Sequence, residues 1–313
     1  MTAILGIWDL QAAPLSLGGL LILAEELQMQ RIIHGASDVD VCIVGDTSQV
    51  LPAGGRHSSV LSVLEGLEGI SNYYCYDSFG TLGKVFAEEP GRYIAWPGIG
   101  ERERKDYKYA NTLFSQEFYL KRGFIPYLSC KNVALKWAAD FVRRHAGQQL
   151  PVVVHLKNNP NVSGHSNADM KAWGEFFVAC HHQYDAKFIL VGSDNVDAQV
   201  SELANVVMAQ RLGSNLVRDL ALIQTSFMFM GMASGPCNAA IFSQVPYIIY
   251  KNPDHDVAEM ELELGDRTRF PFSTPFQKLV RVRETAENLM AEFSDVHDQL
   301  NRSGREARIA SRT

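Results

Sequence analysis

Two short stretches bring together residue types that can hold a phosphate. In "VVVHLKNNPNVSGHSN" an apolar run ends in His155, Lys157, Asn158 and Asn159, ahead of a polar loop. An ammonium group at a strand end meets a phosphate as a point charge, and amide donors beside it fix the anion's orientation. In "MGMASGPCNAA" a second apolar run stops at Ala233-Ser234-Gly235-Pro236, and an Ala-rich segment follows. Serine is a good helix N-cap, and proline suits a first turn, where its missing N–H costs nothing. The N–H groups of Gly235 and Cys237 are then expected to stay free for a phosphate or a sugar hydroxyl, with Asn238 close behind. Each stretch has a plainer reading as well. Lys157 can be a solvated loop residue, His155 a satisfied interior histidine, and Ser234 the cap of an ordinary strand-to-helix turn.

The third candidate is Asp9 in "GIWDLQAAPLSLGG", where the first apolar run ends and Gly18-Gly19 opens a helical pattern. A carboxylate there, ionised near neutral pH and raised by partial burial, can take a proton from a hydroxyl. It can equally cap a turn through backbone hydrogen bonds. His57 and the Glu103/Asp106 region compete for the same role. The segment "ERERKDYKYANTLF" reads either as a face for an acceptor or anionic surface, or as a solvated loop. The sequence holds no GxSxG elbow, HExxH helix, Walker A loop or EF-hand loop. Nor does GxGxxG follow the first strand, which argues against nicotinamide and flavin chemistry.

These residues need a scaffold, and the apolar pattern supplies one. Strands are expected at Ala3–Trp8, Val39–Val44, Asn72–Tyr76 and Arg92–Trp96, with helices at Leu17–Gln30 and His57–Leu67. From Gly98 to Leu128 the pattern dissolves into charged and aromatic residues. A helix over Lys131–His145 leads to a Gly147-Gln148-Gln149 linker. Beyond it, strands are expected at Pro151–Leu156, Lys187–Gly192, Val206–Ala209, Phe227–Met232 and Tyr247–Tyr250. The intervening helices are Ala168–Gln183, capped by Ser166 with Asp169 as its capping partner, one opened by Asp194, and one capped by Ser214. Glu284–Leu300 closes the series as a helix, before an Arg-spaced tail expected to be mobile. Strands alternating with helices predict an α/β fold of two Rossmann-like parallel-sheet lobes with a cleft between them. The lobes are 1–148 and 149–283, helix 284–300 is free to pack back on the first, and 301–313 is the tail. In such sheets ligands bind beyond the carboxyl ends of strands.

Bulk properties agree with that class. The chain has 313 residues, 46% hydrophobic and 20% charged, enough for two domains with adequate cores. A net charge of −6 argues against nucleic acid as a partner. Five cysteines lack CxxC spacing and read as reduced thiols, with no zinc site. The apolar stretch Leu15–Ala24 is far too short to span a bilayer and lacks the flanks of a secretory signal, so a cytoplasmic location is expected. The sequons at Asn161 and Asn301 then read as coincidence. Arg302, Arg305, Arg308 and Arg312 allow at most peripheral contact with an inner membrane surface.

The second lobe resembles a known family. "LVRDLALIQTSFMFMGMASGPCNAAIFSQVPYIIY" is similar to the C-terminal half of GT-B glycosyltransferases, above all the heptosyltransferase-like group, with "VVVHLKNNP" and "KFILVGSDN" upstream in the order of that group. "VVVHLK" is also similar to the first C-lobe strand of GT-B fucosyltransferases. The likeness covers roughly residues 150 to 255 well and the first lobe in outline. It implies an inverting, metal-independent glycosyltransferase with no cofactor beyond its nucleotide-diphosphate sugar co-substrate. The acceptor would be a glycan or lipid-linked hydroxyl of cell-surface glycan biosynthesis. Carried over, Lys157 meets the diphosphate, Ser234, Gly235 and Pro236 form the donor loop, and Asp9 is the base. The family's acid before Ser/Thr-Gly and its histidine three residues after the glycine are replaced here by Ala233 and Asn238, and its glycine-rich acceptor loop by Gln-Ala-Ala-Pro. A nucleotide-sugar epimerase or hydrolase of the same fold, and a non-catalytic nucleotide- or partner-binding protein, are the alternatives.

Overall fold

The computed structural model describes residues 2–46, 58–98, 109–160 and 164–310, with side chains at all of these except 58–59 and 304–310. His57, Glu103, Asp106, most of the basic–aromatic segment, the sequon at Asn161 and Arg312 lie outside the described residues. The chain divides into two compact units, Met1–Ala134 and Leu135–Thr313.

The first unit alternates strand and helix: β1 (Ala3–Asp9), α1 (Leu17–His34), β2 (Asp38–Val44), α2 (Ser58–Gly66), β3 (Asn72–Tyr76), α3 (Phe79–Glu88), β4 (Tyr93–Trp96) and α4 (Leu113–Arg122). The four strands are parallel in the order β3-β2-β1-β4. β1 and β2 are almost continuous apolar runs because helices cover both faces of a parallel sheet. Ser16 caps α1 by accepting from the Gly19 N–H, and Gly35 ends it at φ 62°. From Gly19 to Gln30 every α1 residue is buried. That run includes Glu25, whose two carboxyl oxygens have no hydrogen-bond partner among the described residues. Burial first, and the neighbouring Glu26 second, hold the Glu25 carboxyl well above the usual range. Glu26 itself accepts from the Trp96 indole at 2.8 Å. Gly6 is needed where α1 crosses β1, since a Cβ there would lie 2.4 Å from Leu27.

The second unit contains most of α5 (Asn132–His145), then β5 (Leu150–His155), α6 (Met170–Gln183), β6 (Ala186–Leu190), α7 (Ala198–Ser201), β7 (Val206–Met208), α8 (Leu216–Thr225), β8 (Met228–Met232), α9 (Cys237–Ile241), β9 (Tyr247–Tyr250), α10 (Val257–Glu263), β10 (Gln277–Val280) and α11 (Ala286–Ala310). Six parallel strands run in the order β10-β9-β8-β5-β6-β7. One sheet face presents Val152, Val154, Met230, Met232, Ile248 and Tyr250 to an aromatic core built from Trp173, Phe176 and Phe177 of α6 with Phe293 of α11. Each such ring stabilises the fold by about 1.5–3 kcal/mol through burial. Period-two alternation turns His155, Gly231 and Ile249 to the opposite face.

Several elements differ from the sequence expectation. The division falls inside α5, ahead of Gly147-Gln148-Gln149, because Arg218 lies 4.7 Å over the Trp137 ring and ties α5 to α8. Gly147 (φ 61°) serves as the stop of that helix. Asp169, not Ser166, caps α6, accepting from the N–H groups of Lys171 and Ala172, while Ser166 sits in a separate 3-10 turn. Asn215, not Ser214, caps α8, which frees Ser214 to donate to Asp219. Asp194 opens no helix, since its carboxylate is drawn back to β5. The closing helix packs on α6 and continues as helix to Ala310 where a tail was expected. Elements α3, α4, α10 and β10 were not foreseen. Among the described residues no helix is long and apolar enough to cross a membrane.

Candidate functional site

The carboxyl edge of the second sheet gathers the phosphate-binding candidates. β5 pairs with β8 so that His155 faces Gly231, and β8 pairs with β9 so that Met232 faces Tyr250. Gly231 (φ 156°) permits the close approach of β8 to β5, because a Cβ there would lie 2.4 Å from the His155 carbonyl oxygen. His155 is buried, and each ring nitrogen faces an oxygen. Nδ1 is 2.9 Å from Ser234 Oγ, and Nε2 is 3.3 Å from Asp194 Oδ2. The histidine therefore stands behind Ser234 and orients it, with no ring nitrogen left over for a ligand. Gly192 (φ 94°) leaves room for the ring, since a Cβ there would meet it at 2.7 Å.

Burial pushes the Asp194 carboxyl up, yet hydrogen bonds from His155 and the Asn158 N–H, with the charge of Lys157, outweigh that effect and leave it below the usual value. Asn158 is fixed twice. Its N–H donates to Asp194 (2.9 Å) and its side-chain amide to the Asn195 carbonyl (2.7 Å). Lys157 is half-buried. Burial first and Lys251 second disfavour its ammonium form, while Asp194 and Asp256 favour it.

The turn after β8 departs from expectation. Ser234 does not cap α9, because its hydroxyl donates to the Met232 carbonyl (3.0 Å). Pro236 takes the N-cap position and is itself buried. The Cys237 N–H, expected to be free, donates to the Ser234 carbonyl at 3.1 Å, and the Asn238 N–H to Gly235 at 3.3 Å. A five-residue helix closes its own first turn this way, so it offers few spare donors. Side-chain cations are the stronger candidates for meeting an anion here. Two of them were missed in the sequence, Lys251 directly after β9 and Arg283 nearby, with the His255 imidazole beside them, whose charged form burial and Lys251 disfavour. Lys251 is buried and bonds Asp256 at 2.9 Å, His255 lies 3.3 Å from the same carboxylate, and Arg283 pairs with Asp254 at 2.8 Å. The available signal was a lysine directly after the apolar run Tyr247–Tyr250, the same signature that marked Lys157.

Asp9 belongs to the first unit and ends β1. Its Oδ1 accepts from the Gln11 N–H (2.9 Å), and the carbonyl of Asp9 accepts from Ala12 and Ala13. Tyr109 braces the loop. It stacks on Trp8 with 4.3 Å between ring centroids, donates its hydroxyl to the Ile7 carbonyl and accepts from the Asp9 N–H. The carboxylate is thus held in a fixed turn.

Solved structures of the same architecture supply the comparison. A glycosyltransferase family 9 protein from Veillonella parvula superposes with a TM-score of 0.58 at 12% identity, covering 94% of this chain and 88% of that one. E. coli ADP-heptose lps heptosyltransferase II gives 0.59 at 13%, covering 96% and 100%. E. coli heptosyltransferase WaaC with ADP gives 0.57 at 9%, covering 94% and 100%. The fold is that of these family 9 glycosyltransferases. At such identities the likeness establishes the GT-B-like α/β fold and no more. No family model matches the sequence, and no curated protein matches it.

Proposed function

We propose that the protein is a glycosyltransferase that moves a sugar from a nucleotide-diphosphate sugar to a hydroxyl of a glycan or lipid-linked acceptor, with inversion and without an obligatory metal. The observation that carries this reading is the half-buried Lys157 ammonium beside the Ser234-Gly235-Pro236 turn, in a fold shared with a heptosyltransferase solved with ADP. Lys157 meets the diphosphate, Ser234 and Gly235 line the donor loop with Asn158 and Asn238, and His155 orients Ser234 from behind. Pro236 holds the backbone of the turn. Asp9 is the base: it takes the acceptor proton as the acceptor oxygen bonds the anomeric carbon, and the sugar–phosphate bond breaks with its electron pair leaving on the diphosphate. A preorganised cation is worth most at that developing charge.

One observation favours a second reading. Asp9 Oδ1 already serves a turn, and Ala233 and Asn238 bring neither acid nor imidazole to the donor loop. A non-catalytic nucleotide-binding protein would tolerate both features.

The test is thermal stability against ADP, UDP, GDP, dTDP and CMP, with magnesium or with EDTA. Ligand at about a hundred times its dissociation constant adds roughly 2.7 kcal/mol to the native state. A shift with one diphosphate that persists in EDTA and is lost in Lys157→Ala is the expected result. No shift with any nucleotide would overturn the donor site. Binding without transfer to any acceptor would leave the second reading standing.

A further inference from the structure

The carboxyl edge of the second sheet carries a second lysine that the reading above does not use, and the sheet geometry says where it stands. His155 pairs with Gly231 and Met232 with Tyr250, so extending the register by two residues from the first pair and by one from the second brings Lys157, Ala233 and Lys251 level across three adjacent strand ends. The Ala233 N–H donates to the Tyr250 carbonyl and the Lys251 N–H to the Val280 carbonyl, so the ladder continues through this level. Alternation puts all three residues on the face away from the aromatic core, to which Val154, Met232 and Tyr250 belong. Two lysines therefore flank the small-residue turn, separated by two strand spacings, about 10 Å.

Lys251 is not idle. It is buried, and its ammonium bonds Asp256 Oδ2 at 2.9 Å, with His255 Nε2 at 3.3 Å from the same oxygen. Asp256 is half-exposed and is the one non-glycine residue with positive φ (48°) among the described residues. A left-handed conformation is uncommon away from glycine, although Asp and Asn tolerate it best. A carboxylate held in that conformation against a buried cation, its charge also favouring the Lys157 ammonium, is the arrangement of a stand-in anion.

We propose that Lys251 is a second phosphate-binding residue of the donor site and that Asp256 is its resident counter-ion, displaced when a diphosphate binds. The inference rests on the donor-site reading above and extends it to a residue pair of this chain. Displacement sets a signature opposite to that of a structural strut. Removing a strut loosens the site and weakens ligand binding, whereas removing a competing anion strengthens it.

The experiment is calorimetric titration of the full chain with inorganic pyrophosphate and with the nucleoside diphosphate selected by the panel, using the parent nucleoside as an uncharged control. Asp256→Asn keeps a side chain that accepts the left-handed conformation. It should bind both anions more tightly, by about tenfold, the order of one charged hydrogen bond, with the nucleoside unchanged. Lys251→Gln should weaken both by a similar factor while melting cooperatively like the wild type. Unchanged or weaker anion binding in Asp256→Asn would overturn the displacement, and unchanged binding in Lys251→Gln would overturn the second lysine. In either case wild-type affinity that depends on Lys157 would leave the donor reading intact. If neither anion binds any form, both the reading and the inference fall.

Discussion

The two parallel sheets finish their carboxyl edges by different means. At the end of β1 the chain uses a single carboxylate fixed by uncharged neighbours: the Asp9 turn, the Trp8–Tyr109 stack and a tyrosine hydroxyl that bridges Ile7 and Asp9. At the ends of β5, β8 and β9 it uses charge: two lysines, a buried histidine and the carboxylates Asp194 and Asp256, each held by a partner. The first edge is built to hold one group in a fixed direction. The second gathers two lysines whose charges disfavour one another and are offset by Asp194 and Asp256. Under the proposed function, proton transfer would fall to the first unit and leaving-group stabilisation to the second.

The comparison can be broken at its most demanding point. If the β1 edge exists to orient a base, Asp9→Asn should lower turnover by about 10²–10⁴-fold, the range of a positioned general base, with nucleotide affinity unchanged. Equal losses in turnover and affinity, or no loss, would erase the division of labour. The next effect is on stability. Gly231→Ala sets a Cβ 2.4 Å from the His155 carbonyl oxygen, a backbone atom with no room to yield. It should cost about 3 kcal/mol in urea denaturation. A neutral result would mean that β5 and β8 do not meet as closely as the charged edge requires.

The smallest effect sharpens the comparison most. Asp194→Asn removes the carboxylate behind His155 and should cost about 1 kcal/mol at neutral pH, a typical net hydrogen-bond contribution. Asp194 has a depressed folded-state value, so its stabilisation is present above the unfolded carboxylate range and lost as pH falls through the folded one. The gap between wild type and variant should therefore close at acid pH, below about 4. A gap independent of pH would mean that the carboxylate acts by shape alone.

Much of this organisation could be read from the chain. β1, β3, β8 and β9 are apolar or aromatic runs bounded by polar residues, and β2 is one interrupted by Asp40 alone after Val39; such runs announce themselves. Helix α3 was hidden because Gly80 and Gly83 interrupt its pattern, and β10 because Gln277-Lys278-Leu279-Val280 is too short and half polar. The candidate site was legible where a polar residue ended a recognised strand, as at His155, Lys157 and Ser234, although Lys251 carries the same signature after β9 and was passed over. Asp194 and Asp219 escaped notice as partners because their roles depend on pairing across loops. The Gly192 N–H donates to Asp219, and the Asn158 N–H to Asp194. No spacing rule in the sequence carries those contacts. The N-caps failed by one to three residues for a related reason: in Ser-Asn and Ser-Asn-Ala-Asp several good caps stand side by side, and tertiary demand on one of them decides.

Glu25, sealed inside the first unit without a hydrogen-bond partner among the described residues, has a consequence for how folding is measured. Its carboxyl is held above the usual range by burial and by Glu26, so between the unfolded and the folded value the folded chain keeps a proton that the unfolded chain has released. Its contribution to stability is complete below the unfolded value and fades as pH rises through the folded one. Folding at a pH between those two values thus takes a proton from the buffer, and the heat recorded for it includes the buffer's own ionisation. Two buffers of different ionisation enthalpy should report different apparent heats for one and the same transition.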